Sequence, residues 1–130
     1  MHLHQSGEDY LEAILELRQE RGMVRSIDVA QKLGFSKPSV SRAMAILRAD
    51  GYITMEQSGA ILLTEGGEQV AKAMLERHHM LTDCLIRLGV SPWVAAKDAC
   101  RMEHALSEET FECLKRHMGL SEEAVTNTEE

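Results

Sequence analysis

The stretch from Ser26 to Thr64 leaves the chain little choice of fold. Ile27, Val29, Ala30 and Leu33 recur at helical spacing behind Ser26 as cap, and Gly34 stops the run. The chain turns through Leu33-Gly34-Phe35-Ser36, and Ser36 before Lys37-Pro38 has the form of an N-cap with proline in the first turn. A third helix then reaches about Asp50, with Val40, Ala43, Met44, Ile46 and Leu47 facing inward. Ser36, Lys37, Ser39, Ser41 and Arg42 look outward from its N-terminal half. Next come two strand-like runs, Gly51-Tyr52-Ile53-Thr54-Met55 and Ala60-Ile61-Leu62-Leu63-Thr64, around Gln57-Ser58-Gly59. Two helices at a glycine turn could be an ordinary αα-hairpin, but a β-hairpin behind them reads as a winged helix-turn-helix. Small hydroxyls and an exposed helix start suit phosphates, and Arg42 is long enough for a guanine edge. Candidate DNA-binding residues are Ser36, Lys37, Pro38, Ser39, Ser41 and Arg42.

The flanks are helical. Tyr10, Leu11, Ile14 and Leu15 mark a first helix, with Ser6 as expected N-cap, Glu8 and Asp9 in the first turn and Gly22 at the end. Asp9 and Glu12 are i, i+3 neighbours, which residues alone favour as a solvated acidic face. His2 and His4 read as a frayed terminus rather than a metal pair. Thr64 caps a long helix from Glu65 to about Leu88, with Gly67 in its first turn and Arg77-His78-His79 in its middle. Its apolar members are Val70, Ala73, Met74, Leu81, Leu85 and Leu88, and either histidine could be a ligand, an interface residue or a solvated side chain. Gly89 closes it, Ser91-Pro92 opens the next, and Ser107-Glu108-Glu109 starts one that runs to Gly119. The acidic, polar residues 121–130 are expected to be a disordered tail.

A net charge of −7 argues against nucleic acid at first sight. Yet Lys37, Arg42 and Arg48 share one segment that has no acid before Asp50, and local field governs docking. No apolar run approaches the ~20 residues of a membrane span, and the start lacks a signal peptide's apolar stretch, so a cytoplasmic protein without membrane contact is expected. Three cysteines, Cys84, Cys100 and Cys113, form no disulfide-framework spacing and fit a reducing compartment. A Cys–His nucleophile pair is conceivable, but there is no evident oxyanion site or glycine-rich loop, so the chain does not read as an enzyme.

Cys100, Glu103 and His104 stand at i, i+3 and i+4 and leave one helix face, which makes either a transition-metal half-site or a surface pair beside a buried cysteine. Five motifs in order tip this balance: Glu8-Asp9-Tyr10-Leu11-Glu12, Ser36-Lys37-Pro38-Ser39-Val40-Ser41, Leu63-Thr64-x-x-Gly67, Arg77-His78, and Cys100-x-x-Glu103-His104-x-Leu106-Ser107. Together they closely resemble the DtxR/MntR family of metal-dependent repressors over roughly residues 5–118. The resemblance implies a mainly α protein with a small β-hairpin wing: a winged-helix DNA-binding domain over 1–64, and a helical metal-binding and dimerisation domain over 65–120 with 65–88 as linker helix. It implies a homodimer on a palindromic operator, repressing genes of metal uptake when Fe(II) or Mn(II) is bound, in the short form without an SH3-like domain. It also implies a metal site of Asp9, Glu12, His78, Cys100, Glu103 and His104.

The chain mixes the family's branches. Asp9 matches the manganese branch, where the iron branch has Met; Cys100 matches the iron branch, where the manganese branch has Glu. Thr82 and Ala96 stand where the iron branch's ancillary site has an acid and a histidine, so that site looks absent. A thiolate favours Fe(II), Co(II) or Zn(II) and the carboxylates suit Mn(II) or Fe(II), so Fe(II) is the compromise, with Co(II) or Zn(II) as alternatives in vitro. The expected mechanism is that clustered carboxylates repel without metal, and that a cation joins the first helix to the linker helix and restricts the pose of the recognition helices. The alternative is a winged-helix regulator that senses no metal, with Cys100 buried.

Overall fold

The computed structural model describes residues 3–129, with burial assigned through residue 119. His2 lies outside the described residues. Among these, the order is α1 (Gln5–Arg21), α2 (Ser26–Leu33), α3 (Lys37–Ala49), β1 (Ile53–Met55), β2 (Ile61–Leu63), α4 (Glu65–Arg87), α5 (Pro92–Ala105) and α6 (Glu108–Glu129). The chain is mainly α with one antiparallel hairpin, as the sequence predicts. Two compact units divide within α4, Met1–Leu75 and Glu76–Glu130, eleven residues beyond the expected limit at residue 64.

In the first unit, Leu11, Ile14, Leu15, Val24, Val29, Val40, Met44, Leu47, Ile53 and Ile61 form one buried cluster. Each such aliphatic side chain removed from water contributes about 1.5–3 kcal/mol, so the short helices are held by this shared core rather than by propensity. Gly34 ends α2 in the left-handed conformation at φ 72°, which a glycine adopts without the penalty of a Cβ. Ser36 Oγ then accepts from Ser39 N at 3.3 Å and starts α3. The hairpin register pairs Ile53 with Leu63, Thr54 with Leu62 and Met55 with Ile61, so Ile53 and Ile61 point to the core and Thr54 and Leu62 to solvent. Ile61 N also donates to Val24 O at 2.8 Å, tying β2 to the segment before α2.

Three details differ from expectation. α1 begins at Gln5 behind His4, which makes no side-chain cap, and Ser6 lies inside the helix. α2 is opened by the Asp28 carboxylate accepting from Arg25 N at 2.9 Å, not by Ser26. Ile46 is 61% exposed, because its neighbours Met44 and Leu47 already fill the buried stripe of α3.

In the second unit, Leu81, Ala95, Ala99 and Phe111 are buried. Ser107 Oγ accepts from Thr110 N at 3.1 Å at the start of α6. Gly119 does not end α6, whose backbone is helical to Glu129 across most of the expected tail. The i→i−4 ladder needs no apolar face, and a lone glycine inside a helix costs only about 1 kcal/mol.

Candidate metal centre and DNA-reading helix

Glu103 is the focus of the second unit. Its side chain, on α5, is 1% exposed, and its Oε2 is fully buried without a hydrogen bond. His78 Nδ1, from α4, lies 3.2 Å from that oxygen, outside hydrogen-bonding geometry. On the other side, His104 Nε2 is 3.3 Å from Glu103 Oε1. Cys100 Sγ stands 3.7 Å from the same His78 Nδ1. The i, i+3, i+4 spacing on α5 and the helical position of His78 thus gather a thiol, a carboxylate and two imidazoles inside one unit. Cys100 is exposed rather than buried, and His79 is exposed beside His78.

A buried carboxylate oxygen lacking a hydrogen bond is costly unless a cation meets it. Soft, hard and intermediate donors, linked through His78 and the two oxygens of Glu103, suit a divalent transition metal. The residues therefore fit the ion that the family resemblance implies. Asp9 and Glu12 lie on α1 in the first unit, Glu12 buried and Asp9 half-buried.

On α3, Ser36, Lys37, Pro38, Ser41 and Arg42 are exposed and Ser39 is half-buried. The Ser36 hydroxyl donates to Ser39 Oγ at 2.9 Å, and Arg42 Nη2 reaches the same oxygen at 3.5 Å. A groove of about 510 Å³ runs beside α3, lined by Ser26, Ser41, Met44, Arg48 and Met55 among others. The acidic net charge is thus absent from this helix before Asp50.

Two family models match almost end to end: the N-terminal DNA-binding domain of the iron dependent repressors over residues 2–61, and their metal binding and dimerisation domain over 64–126. The chain belongs to the iron-dependent repressor family. It is 39% identical over 114 residues to the transcriptional regulator MntR of Escherichia coli O6:H1, spanning 88% of this chain and 74% of that one. It is 36% identical over 102 residues to the regulator MntR of Listeria monocytogenes serotype 4a, covering 78% and 72%. A solved manganese-dependent transcriptional repressor in complex with manganese superposes with TM-score 0.80 at 27% identity, over 87% of this chain and 52% of that one. The manganese regulator SloR has the same fold, with TM-score 0.78 at 24% identity over 92% and 55%. This chain therefore spans about half the length of those solved structures.

The family member described here is a metal-dependent, DNA-binding transcriptional repressor and not an enzyme. Its ion is a divalent metal, and its second domain serves dimerisation as well as metal binding. No helix among the described residues is long and apolar enough to cross a membrane. The sequence marks Arg77 only as part of the Arg77-His78 motif and gives it no role, because its guanidinium acts on backbone carbonyls 26 and 29 residues away and leaves no spacing signal.

Proposed function

We propose that this repressor is switched on by Fe(II) or Mn(II) held by Asp9, Glu12, His78, Cys100, Glu103 and His104, and that it controls genes of metal uptake from a palindromic operator in the cytoplasm. The buried Glu103 carboxylate carries this reading: His78 faces its unsatisfied Oε2 and His104 faces its Oε1. A bound divalent cation supplies the positive charge that lets these carboxylates stay together. Glu103 provides the buried anionic donor, His78 and His104 the nitrogens, and Cys100 the soft donor that sets preference among metals. Asp9 and Glu12 belong to the helix that builds the core of the DNA-binding unit, so ligation through them makes DNA binding depend on metal. The proposed domains are 1–64 and 65–120, with 65–88 as linker; family models over residues 2–61 and 64–126 support a boundary near residue 64.

DNA is read by Lys37 and Arg42, with Ser36, Pro38, Ser39 and Ser41 shaping the approach to phosphate. The homodimer places two such helices on half-sites about one turn, ~34 Å, apart. Leu88 and Trp93, 76% and 73% exposed in the dimerisation domain, support an apolar face there.

DNA selected from a random pool with Mn(II) present tests the whole reading. The selected sites are expected to be palindromic and to bind about 5- to 150-fold more tightly with Mn(II) or Fe(II) than with EDTA, the range of typical coupling energies. Equal affinity in the two conditions overturns it. In the same assay Cys100→Glu is expected to move the metal preference toward Mn(II), and an unchanged order of metals removes Cys100 from the ligand set.

A further inference from the structure

Arg77 and His78 are neighbours on α4, and both reach Glu103, from opposite ends of that residue. His78 Nδ1 lies 3.2 Å from the carboxylate, while Arg77 Nη1 donates to the Glu103 backbone carbonyl at 3.0 Å. The same nitrogen donates to the carbonyl of Leu106 at 2.8 Å, where α5 ends and the chain turns toward α6. The guanidinium also lies over the Phe111 ring of α6, 5.1 Å from its centroid. Arg77 thereby touches α5, the corner and α6 at once, and its partly buried charge sits at the negative end of α5. The last carbonyls of a helix have no partner within it, and here a side chain from the ligand-bearing helix satisfies two acceptors with one planar donor group.

We infer that Arg77 is a positioning residue for the metal centre: it locks the end of α5 against α4, so that Glu103 and His104 meet His78 in ligating register. The inference rests on the proposed metal site. Its logic is geometric. Glu103 and His104 lie within the last three residues of α5, where an unsecured helix end frays, and a buried ligand there needs a hold that its own carboxylate cannot supply. Lysine is no equivalent, because a compact ammonium on a flexible stem cannot lie over the Phe111 ring as the planar guanidinium does while holding both carbonyls.

The test is Co(II) titration of the full chain, followed by thiolate-to-cobalt and ligand-field absorption, in wild type, Arg77→Met, Arg77→Lys and Leu81→Val. Melting curves of the metal-free proteins run alongside. Leu81 is buried on α4, and its truncation is expected to lower the metal-free Tm while leaving the cobalt spectrum and affinity unchanged below the melt. Arg77→Met is expected to bind Co(II) about 10- to 100-fold more weakly, as loss of an outer-shell support typically does, with altered bands. Arg77→Lys recovers part of the affinity. A wild-type affinity and spectrum in Arg77→Met, or an equal change in Leu81→Val, overturns the inference. Should Arg77→Met fail to fold by circular dichroism, Arg77→Lys decides: weakened binding supports the role, and wild-type binding and bands overturn it. A wild type that binds no Co(II) instead overturns the metal site itself, a separate outcome.

Discussion

Glu103 carries a cost in the metal-free protein. A buried oxygen left without a hydrogen bond is worth about 1–3 kcal/mol of lost stability, and this one stands 3.2 Å from an imidazole that is not aligned to donate. Glu103→Gln keeps the shape and deletes the charge. Its metal-free Tm is expected to equal or exceed that of wild type, whereas the rise caused by metal disappears. At metal concentrations about 100-fold above Kd the wild type gains about 2.7 kcal/mol, readable by scanning fluorimetry, and an undiminished gain in the variant contradicts a ligand role. At this scale the sequence was legible wherever spacing lay within one helix: Cys100, Glu103 and His104 share a face because of i, i+3, i+4 geometry alone. The choice of His78 over its neighbour came from family resemblance, since no periodicity separates two adjacent histidines on a helix. The role of Arg77 stayed hidden because any residue can offer the carbonyls it binds.

The joint between hairpin and α4 shows what a local motif can enforce. Thr64 Oγ1 accepts from Gly67 N at 3.1 Å and donates to Gly51 O at 2.7 Å, so one hydroxyl caps α4 and holds the loop before β1. A Cβ on Gly67 would come 2.0 Å from Tyr52 O, a backbone atom with nowhere to retreat. Gly67→Ala is therefore expected to destabilise the protein by about 1–3 kcal/mol or more, measured as a lower urea midpoint, despite alanine's better helix propensity; a higher midpoint would show that the joint yields. Arg18 donates to Glu68 on the same helix and holds its carboxyl below the ordinary carboxylate range, the hydrogen bond outweighing the opposing effect of desolvation. A depressed folded value contributes stability that is fully present above the unfolded pKa of about 4.3 and is lost as pH falls through the folded value. Glu68→Gln should thus flatten the fall of unfolding free energy below about pH 4, by a small amount because the pair is solvated. The caps at Ser36, Thr64 and Ser107 were readable because donor and acceptor lie three residues apart. The start of α1 was not, since His4 gives no cap hydrogen bond to distinguish it from Ser6. Ile46 shows the limit of periodicity: a stripe can be filled before every apolar residue on it has been used.

For the whole molecule, metal and DNA are linked equilibria. If metal tightens operator binding by a given factor, the operator must tighten metal binding by that same factor, and calorimetric titration of Mn(II) into protein with and without operator measures it. Unequal factors would mean that a further equilibrium, such as dimer assembly, separates the two events. The winged helix was legible as a whole because helix, glycine turn, helix and hairpin follow one another without interruption. The division inside α4 was not legible, because a continuous helix carries no composition break at residues 75 and 76.

The graded burial of the four gathered donors has a consequence in time. Cys100 is exposed, whereas the side chains of His78, His104 and Glu103 are 19%, 3% and 1% exposed. If these residues hold the metal as proposed, Cys100 would offer the first donor to an arriving ion, and the buried carboxylate would be reached only once the lining opened. A departing ion would cross the same barrier in reverse. Stopped-flow mixing should accordingly resolve a fast, concentration-dependent capture followed by a slower step that no excess of metal accelerates. A repressor with the proposed site would have a memory: it would ignore a brief dip in metal shorter than that opening time.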